Sequence, residues 1–470
     1  MKRYLFLSLA AFITLGCYGQ QNTTIYSKDS TIRATGTMVD GKKQGAWTYF
    51  NQQNKLIEEG SFVDNNRDGV WHTYYNNGVI ESKITYEMGV AVDYIGYNPN
   101  GQKMLSGEFK DGKKSGEWIT FYPTGARQMV VTLKNDLKNG QRKKYTEFGV
   151  LEEEAYFKND TLHGDFETFD GAGKTIFKGQ FDKGVKTGTW KEFYVTGNVY
   201  EVSHFHKDEP DSVWVALFQD GDTLSVRKYN EGTPIGTWRF YHENGKLFEK
   251  YSYKEGWLDG VYIKNFSNGK PEVQGFYKNG LKVDNWRYFN DDGYIIEEGK
   301  YKDGEQHGQW FNYYNEGELK SVGSFVNGLE DGTWGLFHVT GLLMQEEEWK
   351  MGKLWNVSPY VTVYGDTLSA GSFKDGSGEK VNYFRSGKVE VKCEFKNGVP
   401  HGSWVYYYED GEVAERGNFT NGIKDGQWIY YHSNGEAASI GDYTKGEKTG
   451  TWVFYNRNGS VRERVNHSKE

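Results

Sequence analysis

Tryptophan returns on a fixed step of twenty-four residues: Trp190, Trp214 and Trp238, then Trp286, Trp310 and Trp334, then Trp404, Trp428 and Trp452. Phe166 and Tyr262 keep the step where tryptophan is absent. A fixed period of this length marks a repeat array, in which each unit buries its apolar face against its neighbours. Such arrays build long surfaces rather than one central pocket. The period therefore predicts a binding scaffold and not an enzyme.

The phase runs from Trp47 through Trp71, slot 94 and Trp118 to Trp452. That makes eighteen slots, with short steps of 23 residues from 71 to 94 and 22 from 358 to 380. A second aromatic column follows each slot by three residues, as in Phe50, Tyr74, Phe289, Tyr313, Tyr407 and Tyr431. A third includes Phe62, Tyr86, Phe181, Phe205, Tyr301, Phe325 and Tyr443. Two glycine columns, often preceded by Asn or Asp, mark tight turns between strands. Each unit thus reads as two short strands.

A further glycine stands two residues before the third aromatic, as in Gly60, Gly107, Gly179, Gly275, Gly299, Gly323, Gly371, Gly417 and Gly441. A glycine inside a strand marks close approach by something else. The spacing predicts that a ring from the neighbouring strand lies over it. It also predicts that the tryptophan and the aromatic three residues on face opposite ways. The fold class is all-β: an elongated array of about 18 stacked β-hairpin repeats, as an open twisted sheet or a solenoid.

The pattern G-x-W-x-x-[YF]-[YF]-x-x-N-G, closed by [YF]-x-[ND]-G, resembles the MORN-repeat family. The nearer likeness is to its bacterial 24-residue variant, as in YwqK-type antitoxin repeat proteins. Gly308-Gln309-Trp310 through Tyr313-Tyr314 and Gly402-Ser403-Trp404 through Tyr407-Tyr408 carry it well. The resemblance covers residues 36–463 and implies a stacked-hairpin sheet used for scaffolding and protein interaction. Three units depart from it, at Asp93-Tyr94-Ile95, Ser358-Pro359-Tyr360 and Glu379-Lys380-Val381, so irregular units are expected near 87–101 and 352–387.

Residues 1–19 read as a secretory signal peptide: Lys2-Arg3, an apolar run from Tyr4 to Leu15, then small residues. Two processing routes fit, lipidation at Cys17 and cleavage after Gly19. The run is too short to span a bilayer. The polar stretch 20–35 reads as a tether and 464–470 as a polar tail. An exported protein of the periplasm, cell envelope or outer surface is expected, with no transmembrane span.

The net charge of -8 is spread along the chain. Nucleic-acid binding needs a basic stripe, so it is not expected. No catalytic residue, cofactor or metal is expected either. The closest metal candidate is the pair His204 and His206, with Asp208 or Glu209 nearby, short of a full ligand set. His163, His307 and His401 lie units apart and cannot share an ion. Cys393 fills the strand-glycine column and reads as a buried small side chain. Trp257, Trp355 and the stretch 357–366 leave their columns, as a degenerate repeat or a docking spot would.

Three functions follow in order. The first is an exported scaffold that binds a protein partner. The second is a carbohydrate or cell-wall binder that stacks sugars on the aromatic ladder. The third is an antitoxin-like neutralising partner.

Overall fold

The computed structural model describes residues 20–26, 28 and 32–467. Residues 1–19, with the signal peptide and Cys17, lie outside them. No described residue is helical. The chain divides into two compact units between Asp222 and Thr223.

In the first unit the strands follow one another as an antiparallel meander. Lys42–Phe50 pairs with Leu56–Val63, which pairs with Asn66–Tyr74, and the order continues to Ser212–Leu217. The local reason is turn chemistry. One turn of each hairpin holds two consecutive residues at positive φ, as Asp40 and Gly41 (52° and 76°) or Met88 and Gly89 (44° and 85°). That backbone matches the right-handed twist of the flanking strands. Its amide then extends the ladder onto the previous strand, Gly89 N to Arg67 O at 2.7 Å.

The second unit repeats this meander from Thr223–Asn230 to Lys353–Val357. There the ladder stops. Residues 358–377 hold only the short pair Tyr360–Val361 with Thr367–Leu368 and two isolated bridges. A fresh eight-stranded sheet then runs from Gly378–Tyr383 to Val461–Asn466.

Three sequence expectations need correction. Residues 20–35 are not a free tether: Gln21–Tyr26 forms a strand paired with Ile32–Val39. Its polar residues misled because a terminal strand needs only backbone partners, and nearly all its side chains stay exposed. The tail does not begin at 464. The last strand reaches Asn466, and the His467 ring stands 6.3 Å edge-on to Trp452. The unit at 87–101 stacks regularly, since Val90–Tyr97 pairs on both sides and Tyr94 stacks on Trp118 at 6.0 Å. A smaller flat ring fills the slot without breaking the ladder.

Candidate functional site

The tryptophans pack by one rule. Trp47, Trp71, Trp118, Trp190, Trp286, Trp310, Trp334, Trp428 and Trp452 each lie over a glycine eleven residues earlier, on the preceding strand. A Cβ added at any of those glycines would stand 2.0–2.3 Å from the ring. All nine rings are at most 7% exposed. Trp214, Trp238 and Trp404 instead meet Ser203, Arg227 and Cys393 at that position, and all three are only half-buried. The glycine is therefore what lets the ring sink onto the sheet. In six of the nine the indole N–H then donates to the next backbone carbonyl of the strand beneath, as Trp310 Nε1 to Lys300 O at 3.0 Å, whereas Trp286 Nε1 donates to Val283 O. The half-buried trio keeps this bond, as Trp238 to Lys228 O at 3.1 Å.

The outer ring face is closed as well. Over seven of the nine lies a cation from four residues before the slot, as Lys43 over Trp47 at 4.7 Å, Arg67 over Trp71 at 4.1 Å, Lys282 over Trp286 at 4.3 Å and Lys424 over Trp428 at 3.6 Å; Trp310 and Trp334 have Gln306 and Glu330 at that position. Such contacts add about 0.5–2 kcal/mol. Third-column rings fill the sides edge-on, as Phe62 against Trp71 at 4.9 Å. The half-buried trio has proline at the cation position: Pro210, Pro234 and Pro400. Burial pulls Lys282 below its ordinary value and pushes Glu297 up.

The aromatic three residues after the slot faces the other way, as expected. Tyr74 reaches Glu59 at 2.6 Å and Tyr313 reaches Glu298 at 2.9 Å. Burial and these bonds push both hydroxyls up to about 12. Where the next residue is tyrosine it ties its hairpin to the following one. Tyr75 donates to Tyr97 O at 2.7 Å and Tyr314 to Phe337 O at 2.8 Å. Rings and turn groups are thus spent on stacking.

Two places in the second unit stand apart. At the break in the ladder, Glu347 occupies a glycine position and Lys380 a tryptophan slot. They meet as an ion pair at 2.7 Å, with side chains 12% and 10% exposed. Trp349 Nε1 also donates to Glu347, at 3.1 Å. Cys393 lies beneath with its thiol 3.4 Å from Lys380 O, and burial pushes that thiol up to about 12. The second place is one edge, where the residue after each turn glycine leans on the next turn. Trp257 stands over Gly280, Leu281 over Gly304 and Leu329 over Gly352. Trp257 is 64% exposed, and Leu281, Leu329 and Met351 are 42–50% exposed. From the sequence only Trp257 stood out; Leu281 and Leu329 share a column that elsewhere holds Lys, Thr and Glu as well as Val90, Leu137 and Ile423.

The histidines do not converge. His204 Nδ1 contacts Thr189 at 3.1 Å and His163 contacts Asp182 at 3.1 Å. Among the described residues no group of three His, Cys, Asp or Glu side chains could hold a metal ion.

This geometry defines a class: a protein of stacked β-hairpin repeats, stabilised between neighbours. Seven of its segments match repeats of the MORN type. The MORN repeat variant matches residues 67–88, 138–159, 234–255, 258–279, 306–327, 377–397 and 400–421. No curated protein matches the chain. Among solved structures it is similar to the TcdB2-TccC3-Cdc42 complex, at 11% identity and a TM-score of 0.14. That likeness covers 93% of this chain and 28% of the other. It is also similar to the Photorhabdus luminescens Tc holotoxin pore, at 11% identity and a TM-score of 0.16, covering 93% of this chain and 26% of the other. The chain thus spans under a third of the length of the structures it matches.

Proposed function

We propose that this protein is a non-enzymatic exported scaffold that docks a protein partner along the edge carrying Trp257, Leu281, Leu329 and Met351. The observation behind this reading is the exposure of Trp257, Leu281 and Leu329 after their turn glycines along one edge, with Met351 in a neighbouring turn. Soluble proteins seldom expose such side chains together, and where they do the patch marks an interaction surface. Tryptophan is also the residue type most enriched among binding hot spots. Export rests on the N-terminal sequence, with a lipid anchor at Cys17 as one of its two processing routes. A sugar-stacking ladder of tryptophans is disfavoured, because nine rings lie on glycine and most of these carry a cation on the outer face.

The test is site-specific photo-crosslinking in the native host. A crosslinker at position 257 should capture one discrete envelope protein, and Leu281→Ser with Leu329→Ser should abolish the adduct. The same crosslinker at position 173, on the opposite kind of turn, should capture none. Equal capture from both positions would defeat the proposal.

A further inference from the structure

A different surface of the second unit has the chemistry of a ligand site. The strands Pro271–Lys278, Leu281–Phe289, Ile295–Lys302 and Glu305–Tyr313 pair in sequence. Side chains alternate across a sheet, so Asn285 and Arg287, which flank the buried Trp286, face away from the tryptophan side. Two adjoining troughs of about 300 and 400 Å³ lie on that face and share Asn285 and Arg287.

Their polar groups are unspent. Gln274, Asn285 and Gln309 line the troughs, and their side-chain amides have no hydrogen-bond partner among the described residues. In other hairpins polar side chains pair across strands: Gln180 with Asp165 at 2.8 Å, Thr189 with His204 at 3.1 Å, Thr237 with Ser252 at 2.9 Å. Arg287 is fixed by its Nε at 2.9 Å from Glu298, which also accepts from Tyr313. The Arg287 side chain is 52% exposed. Phe276 and Phe311 flank the polar centre.

We propose that this face binds an oligosaccharide. Each amide offers donors and an acceptor together, which matches hydroxyl groups that are themselves both. A protein partner would want a desolvated apolar pocket for an anchor side chain. These troughs are shallow and open, and their centre is polar. A neutral polyhydroxylated chain needs neither burial of charge nor a deep cavity. Four strands at about 4.8 Å spacing give the troughs room for a short chain of sugar rings. The site is independent of the apolar edge, so either proposal survives failure of the other.

The experiment is titration calorimetry of the full-length chain with β-glucan, α-glucan and chitin hexaoses. At least one should bind saturably. Asn285→Ala with Gln309→Ala should weaken it tenfold or more without moving the melting temperature, because neither side chain has a partner to lose. A Phe311→Ala variant should weaken binding as well. If no hexaose binds, or if binding survives the double change, the proposal fails. It also fails if an extended peptide probe binds this face in place of sugar and the double change releases it.

Discussion

Consider replacing Lys380 by Met. In the regular rung a ring lies on a glycine. At the ladder break Glu347 and Lys380 meet instead at 2.7 Å, about nine-tenths buried. Removing one partner of such a pair leaves an uncompensated charge, at a cost of about 3–5 kcal/mol. A chain of coupled repeats does not unfold in one step, so a single melting curve would blur the effect. Hydrogen exchange resolves it locally. At about 1.4 kcal/mol for each factor of ten, protection of Leu343–Lys350 and Gly378–Tyr383 should fall roughly a hundred- to several-thousand-fold. Adding Glu347→Gln should restore most of it. That change removes the orphaned charge yet keeps an acceptor for Trp349. Unchanged protection in Lys380→Met, or a double variant as damaged as the sum of its singles, would refute the argument.

Three further outcomes follow from the rungs. Gly299→Ala places a methyl where the Trp310 ring lies; it should cost about 1–3 kcal/mol and red-shift the tryptophan emission, as the ring lifts to the half-buried state of Trp214. Trp310→Ala should cost about 3–5 kcal/mol, and exchange should quicken around residues 286–334 while 118–190 stay protected. Cys393 should resist iodoacetamide at pH 8 until the chain unfolds, because burial holds its thiol up to about 12. With the folded value above the unfolded one, its contribution is complete below about pH 9 and is lost as pH rises towards 12.

The rung was legible in the sequence because it is local in register. A tryptophan and its glycine are eleven residues apart in every regular unit, so the period carries both partners. The turns were legible for the same reason: Asx-Gly at fixed phase dictates positive φ, and positive φ dictates the hairpin. Even the opposed direction of Trp71 and Tyr74 follows from alternation along one strand.

Other features needed the tertiary structure. Lys380 and Glu347 are 33 residues apart and meet only because the ladder ends at Val357 and restarts at Gly378. Nothing in either residue announces that meeting, since no period links them. The strand Gln21–Tyr26 was hidden because an edge strand is held by backbone bonds, which leave no mark on side-chain pattern. The open amides of Gln274, Asn285 and Gln309 were hidden for a related reason. Whether an outward polar side chain finds a partner depends on what the neighbouring strand presents opposite it. Composition and spacing fix which face a residue takes; only the packed register decides whether its hydrogen bonds are already spent.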